Sequence, residues 1–96
     1  MAKVNWTDEA RRWLQEIYDY IATDNPDAAY RTVTEIHNKA GLLGQYPEMG
    51  ASYRGDRRVR ILVSGQYRIA YVIKSSTDID VIGVFHGALD LDRILR

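Results

Sequence analysis

The sequence contains no cysteine, only two prolines and no long apolar run. Without cysteine the chain can form neither a disulfide nor a thiolate-based catalytic or metal site, and this composition fits a reducing compartment. No window approaches the roughly 18–20 apolar residues of a membrane-spanning helix. The N-terminus also lacks the charged-then-apolar pattern of a secretory signal. We therefore expect a cytoplasmic protein that does not contact a membrane.

The chain also lacks net charge, because 13 basic side chains balance 13 acidic ones. A net charge of zero argues against a protein that binds a nucleic-acid phosphate backbone through its overall charge. The charges are nevertheless segregated along the chain. Residues 7–27 hold six acids and two bases, whereas residues 54–68 hold five arginines and one acid. A local field of this kind can steer a partner even when the total charge is zero.

Two amphipathic helices are predicted after a short first strand at residues 3–6. Thr7 and Asn25 stand where N-caps are expected, and Pro26 occupies a first turn, where its missing amide is not needed. Apolar residues then recur at three- and four-residue spacing, which is typical of one buried helix face. The first stripe is Ala10, Trp13, Leu14, Ile17, Tyr20 and Ile21; the second is Ala29, Val33, Ile36, Ala40 and Leu43.

The C-terminal half predicts three strands after a loop at residues 44–56. Apolar residues alternate over residues 59–63, 67–73 and 79–85, and short polar turns connect these runs. Such short connections require antiparallel pairing. We predict one α+β domain over residues 1–96 in the order β-α-α-β-β-β. A helical hairpin would cover one face of a twisted, mostly antiparallel four-stranded sheet, and residues 90–96 would form a short C-terminal helix.

Alternation assigns a mixed set of side chains to the sheet face away from the helices. Arginine on a strand face is costly to bury without a partner, so we expect this face to be partly open. The set consists of Arg60, Leu62, Arg68, Ala70, Val72, Ile82, Val84 and His86.

Four arginines are the first candidates for a binding site. Guanidinium groups bind phosphates or carboxylates with paired hydrogen bonds and stabilise developing negative charge. The alternative is a solvated loop whose arginines pair with acids of the helices, and it is favoured for Arg54, Arg57 and Arg58. Arg68 differs, because it lies in the middle of a predicted central strand. A charged side chain there is costly to bury without a partner, which favours a functional role. The candidate target- or phosphate-binding residues are thus Arg57, Arg58, Arg60 and Arg68.

His86 is the second candidate, because a histidine at a strand end beside a glycine can act as a general acid or base. A backbone-bonded histidine without chemistry is the alternative. His37, in mid-helix, is interpreted as structural. With no cysteine and two distant histidines, we expect no metal and no cofactor. Among seven tyrosines, Tyr46 and Tyr53 are candidates for an interface.

The order and spacing of these segments resemble the RelE/ParE toxin superfamily over nearly the whole chain. No single segment is specific for this superfamily, but their order and spacing together are. The segments are Trp6-Thr7, Ile17-Tyr18-Asp19-Tyr20-Ile21, Leu42-Leu43, Tyr46-Pro47-Glu48-Met49-Gly50, Val59-Arg60-Ile61-Leu62, Tyr67-Arg68-Ile69-Ala70-Tyr71 and Val81-Ile82-Gly83-Val84-Phe85-His86-Gly87-Ala88.

The resemblance implies the toxin of a type II toxin–antitoxin module, and two mechanisms occur among such proteins. RelE-like members cleave messenger RNA on the ribosome, whereas ParE-like members poison DNA gyrase. Arg68 matches the strand arginine of a Tyr-Arg-x-x-Tyr pattern that contacts the scissile phosphate in the RNases. His86 matches the histidine of a His-Gly-Ala-Arg-Asp ending that is frequent in ParE-like sequences. If the chain is RNase-like, Arg68 and His86 are its catalytic candidates.

One position departs from the family pattern, since Leu89 replaces the arginine of that ending. Loss of one donor to a developing charge costs roughly 10²–10³ in rate, so the departure favours the ParE-like function over the RNase. A non-toxic relative that retains only antitoxin binding is a third interpretation. The resemblance also implies a cognate antitoxin, and a mixed apolar and basic face would suit an acidic, amphipathic segment that covers Arg60 and Arg68. A homodimer or a toxin–antitoxin hetero-oligomer remains open.

Overall fold

Both helices begin at the capping residues that the sequence predicts. In the computed structural model, which describes residues 1–87, the Thr7 hydroxyl accepts a hydrogen bond from the Ala10 amide at 3.1 Å. The Asn25 side chain accepts one from the Ala28 amide, also at 3.1 Å. Each bond satisfies an amide that has no carbonyl partner within the helix. The helices are α1 (Asp8–Ala22) and α2 (Pro26–Gly41), and a 3₁₀ turn (Leu42–Gly44) follows α2.

The strands form one mixed sheet in the order β1-β5-β4-β3-β2. β1 pairs parallel with β5, and every other pair is antiparallel. This confirms the predicted α+β class and the mostly antiparallel sheet. The predicted C-terminal helix at residues 90–96 and Leu89 lie outside the described residues. The strands are β1 (Lys3–Trp6), β2 (Ala51–Tyr53), β3 (Asp56–Ser64), β4 (Tyr67–Ile73) and β5 (Asp78–His86).

Within residues 1–87 the sheet has five strands, whereas the sequence predicts four. The additional strand is β2, which lies in the segment predicted as a loop. It pairs with β3 through Ala51 opposite Ile61 and Ser52 opposite Arg60, and its register shifts after Ser52. A strand of three residues is too short to show alternation in the sequence, so only its pairing with β3 reveals it.

A β-bulge between β4 and β5 changes which side chains face the helices. The pairing passes from Ala70 opposite Gly83 to Tyr71 opposite Val81, so that Ile82 has no counterpart. Because strand side chains alternate, one unmatched residue exchanges the faces beyond it. Val84 therefore packs on the helix side together with Ile69 and Val81, and it is fully buried.

The predicted membership of the helix-free face is partly wrong: on β5 because of this bulge, and on β3 because the side of Arg60 and Leu62, not that of Val59 and Ile61, faces the helices. Leu62, which pairs with Ile69, belongs to the core under the helices, and Arg60 shares its face. His86 lies opposite Tyr67 on the same helix side. The side chains of Arg68, Ala70, Val72 and Ile82 occupy the other face, as the sequence predicts.

Two apolar clusters hold these layers together. The larger cluster lies between the helices and the sheet and includes Ile36 and Leu43 from the helical layer with Ile69, Tyr71 and Ile79 from the strands. The smaller cluster lies on the other face of the sheet and is formed by Val59, Ala70 and Phe85. The helix-free face is thus only partly open, since these three residues are buried while Val63 is 51% exposed.

Tyr71 fixes the segment that leads into β2. Its ring is fully buried, and its hydroxyl donates to the Pro47 carbonyl at 2.7 Å while it accepts from the Gly50 amide at 2.9 Å. A β-carbon added at Gly50 would lie 2.8 Å from the Tyr71 hydroxyl and from the Ile61 carbonyl. Only glycine leaves room for this close approach, so ring, hydroxyl and loop fit as one unit.

Replacing Tyr71 with phenylalanine tests this unit. The substitution retains the ring but leaves the Pro47 carbonyl and the Gly50 amide without their partner, so we expect the free energy of unfolding to fall by about 1–3 kcal/mol. Urea denaturation followed by circular dichroism measures the change. Tyr30→Phe is the matched control, because Tyr30 is 68% exposed and should lose almost nothing. Equal stabilities of the two variants would contradict the role given to the hydroxyl.

Candidate functional site

Arg58 is held by an acid of its own strand. Its Nε and Nη2 atoms donate to the two carboxylate oxygens of Asp56 at 3.1 and 2.9 Å. This hydrogen bonding lowers the pKa of the Asp56 carboxyl and raises the pKa of the Arg58 guanidinium. The Arg58 side chain is 85% exposed, so the pair adds little to stability. Arg57, the residue before Arg58 on β3, is exposed as well.

Arg60 binds the backbone of its own chain. Its Nε donates to the Gly50 carbonyl at 2.9 Å, and its Nη2 donates to the Glu48 carbonyl at 3.1 Å. A longer bond of 3.4 Å joins Nη1 to the Ser52 hydroxyl. Arg60 also lies opposite Tyr71 across the β3–β4 pair, so both side chains hold the same loop. Its geometry is that of a loop-holding residue, because its donors already have partners.

Arg68 has a different environment. It lies in mid-strand, half-buried, and pairs with Val63 on one side and Phe85 on the other. Its guanidinium packs against the backbone of Gly87, where an added β-carbon would lie 3.0 Å from Nη1. The one hydrogen bond recorded for it within residues 1–87 is a long one of 3.5 Å to the Tyr67 carbonyl. No carboxylate of that part of the chain forms an ion pair with it.

His86 lies at the same end of the sheet as Arg68, but on the opposite face. The register places His86 across from Tyr67, whereas Arg68 is across from Phe85. The imidazole contacts the Tyr67 ring edge-to-face, with centroids 5.5 Å apart. A nuclease that uses both residues needs them on one phosphate. The strands bring Arg68 and His86 to the same end of the sheet without directing them to a common point.

A groove beside His86 contains aromatic residues that the sequence analysis assigned to the core. Tyr20, predicted as part of the buried stripe of α1, is 82% exposed. Its phenol lies near that of Tyr67, and partial burial together with this neighbour raises the pKa of Tyr67. The groove encloses about 420 Å³. We call it the α1 groove; its walls are Trp13, Glu16, Ile17, Tyr20, Tyr67, Val84 and His86.

A second apolar groove follows the loop that Tyr71 and Arg60 hold. It encloses about 760 Å³ between that loop and the turn after β4. Tyr46, an interface candidate from the sequence, is 55% exposed there, and Met49 is 40% exposed. Tyr53, the other candidate, is half-buried on β2. The loop therefore presents apolar side chains from a fixed backbone.

Metal binding and membrane insertion find no support in residues 1–87. No group of three or more histidine or acidic side chains there is arranged to hold a metal ion. None of the helices in this part of the chain combines the length and the apolar composition needed to cross a bilayer.

Comparison with known proteins assigns the chain to a family. Residues 4–91 match the profile of a family described as the ParE toxin of the type II toxin-antitoxin system, parDE. A putative toxin, Y4kP, of Sinorhizobium fredii is 35% identical over 94 residues, which are 97% of this chain and 96% of that protein.

Solved structures share the architecture. The chromosomal ParDE toxin–antitoxin system of P. aeruginosa superposes with a TM-score of 0.77 at 22% identity, over 90% of this chain and 96% of the other. The toxin–antitoxin complex RelBE2 of Mycobacterium tuberculosis superposes with a TM-score of 0.68 at 24% identity, over 88% and 96%. At these identities the structures show the fold alone. On the family profile and the Y4kP identity, the chain belongs to the ParE toxin family of type II toxin–antitoxin systems, within the RelE/ParE superfamily.

Proposed function

We propose that this toxin arrests growth by binding DNA gyrase and that a cognate antitoxin holds it inactive. The environment of Arg68 is the main structural support for gyrase as the target. Its guanidinium lies half-buried on the helix-free face and has no acidic partner within residues 1–87. A partly desolvated guanidinium with free donors binds a carboxylate or phosphate more strongly than an exposed one. Arg68 thus provides a preformed anchor for an acidic group of the target.

The family match supports the ParE-like mechanism over messenger cleavage. ParE-like members are the gyrase poisons among the relatives that the sequence resembles, and residues 4–91 match their profile. The placement of Arg68 and His86 on opposite sheet faces also weighs against an acid–base pair acting on one phosphate. Antitoxin binding is supported by the solved structures of similar fold, which are a toxin–antitoxin system and a toxin–antitoxin complex.

Expression of the chain without its antitoxin tests the proposal. We expect growth arrest with filamentation and an SOS response, and we expect the purified protein to inhibit supercoiling by gyrase in vitro. New 5′ ends within reading frames, detected by primer extension, would instead identify the ribosome as the target. Unaffected growth together with retained antitoxin binding would identify a non-toxic relative.

Replacing Arg68 with alanine tests whether the residue is needed for target binding rather than for stability. Because Arg68 holds no element of the described structure by an ion pair, we expect the free energy of unfolding to change by less than about 1 kcal/mol. We expect inhibition of gyrase and of growth to be lost. A fully toxic Arg68→Ala variant would refute the anchor.

Arg60→Lys is the contrasting variant. Lysine keeps the charge but cannot reach the Glu48 and Gly50 carbonyls together, so we expect a loss of about 1–2 kcal/mol in the free energy of unfolding. Inhibition of gyrase per folded molecule should stay near that of the unmodified toxin, as titration of supercoiling against the active fraction would show. A stable but non-toxic Arg60→Lys variant would move the anchor to Arg60.

A further inference from the structure

Three large apolar side chains lie together in solvent on the segment that follows α2. Leu42, Tyr46 and Met49 are each at least 40% exposed, and neither apolar cluster of the described residues includes them. The Tyr46 amide donates to the Leu42 carbonyl at 2.9 Å, and the Met49 amide donates to the Tyr46 carbonyl at 3.1 Å. With these turns, spacings of four and three residues place the three side chains in one stripe.

The 760 Å³ groove described above adjoins this stripe. Its far wall consists of Ile73, Ser75 and Ser76, and its size lies within the range of about 300–1,000 Å³ that is typical of binding clefts. The near wall has a fixed backbone, because the Tyr71 hydroxyl and the Arg60 guanidinium bind it. A wall that is already ordered loses little conformational freedom when a partner binds. We call the stripe and the groove together the loop patch.

The loop patch lies away from the two surfaces described above. Ile73 and Arg68 are five residues apart on β4, which is about 16 Å along a strand, and they occupy opposite faces of the sheet. The α1 groove lies at the other end of β4, where Tyr67 pairs with His86. A partner bound to the loop patch would therefore leave Arg68 accessible.

Charges of opposite sign flank the stripe. Lys39 is exposed on α2 one turn before Leu42, and Glu48 is exposed beside Met49. None of the described residues that line the groove is an arginine, which disfavours a phosphate backbone as the partner. A surface with a base at one end, an acid at the other and apolar residues between them is complementary to itself, because a twofold rotation brings each base to an acid.

We propose that the loop patch is the interface of a weak, symmetric homodimer. The two stripes run antiparallel, so that Lys39 of one copy faces Glu48 of the other and Leu42 faces Tyr46, and each contact occurs twice. Tyr46 is the main anchor, since an aromatic side chain beside a groove contributes strongly to affinity. For so small an interface we expect a dissociation constant on the order of micromolar. The inference goes beyond gyrase binding and depends on it at no step.

Sedimentation equilibrium of the full-length toxin without antitoxin tests the dimer. We expect the average mass to rise from 11.0 kDa towards twice that value as the concentration increases through the micromolar range. Tyr46→Glu should weaken association about tenfold or more, because it places a charge in an apolar contact. Tyr46 is exposed, and circular dichroism verifies that the variant folds.

Charge reversal tests the antiparallel arrangement. Lys39→Glu and Glu48→Lys each bring like charges together twice in a dimer and should weaken association about threefold or more. An equimolar mixture of the two variants should associate more tightly than either alone, because one then carries two acids and the other two bases. The backbone carbonyl of Glu48, not its side chain, accepts from Arg60, so the reversal leaves the loop in place.

Tyr30→Glu and Glu16→Lys are the matched controls. They change an exposed tyrosine and an exposed glutamate outside the loop patch and should leave the association unchanged. A toxin that stays monomeric throughout this range would overturn the proposal, as would a dimer that tolerates Tyr46→Glu or a mixture that associates no better than its components. If the toxin is monomeric and Tyr46→Glu abolishes growth arrest or antitoxin binding, the loop patch serves that partner and the homodimer is refuted.

Discussion

Between Ala70 and Tyr71, the ladder that joins β4 to β5 passes over one residue of β5, Ile82. Side chains before and after that residue would otherwise alternate without interruption. Because of the extra residue, Val84 enters the core beneath the helices, while Phe85 turns to the other face, where its ring covers Gly83. A β-carbon at position 83 would lie 2.5 Å from that ring. The bulge and Gly83 therefore act together: the bulge directs Phe85 to the helix-free face, and the glycine leaves room for its ring. The side chains that β5 presents on each face of the sheet depend on both.

Local signals in the sequence were sufficient for the helices and the longer strands. The caps at Thr7 and Asn25 and the alternation over β3 and β4 depend on residues close together in the chain, and the structure confirms them. The bulge and β2 could not be predicted in this way. The bulge depends on the register of β5 against β4, which residue types do not show. β2 has only three residues, too few to show alternation, although β3 follows it after Arg54 and Gly55.

For the candidate side chains too, the sequence predicts features that depend on nearby residues but not contacts with distant ones. That the arginines cluster was evident from the sequence, but their partners were not. The acid that holds Arg58 is two residues away, whereas the carbonyls that hold Arg60 come from a loop ten and twelve residues earlier. Tyr20 was misassigned because helical spacing shows which side a residue lies on but not where the core ends. The α1 groove therefore required the assembled sheet.

The two candidate surfaces meet across the thickness of one strand. Val84 and His86 face the α1 groove, while Phe85 and Gly87 face Arg68. Consecutive residues of β5 thus serve opposite sides of the sheet. The zero net charge of the chain fits this arrangement, because the exposed acids of α1 and the guanidinium of Arg68 lie on opposite sides of β5.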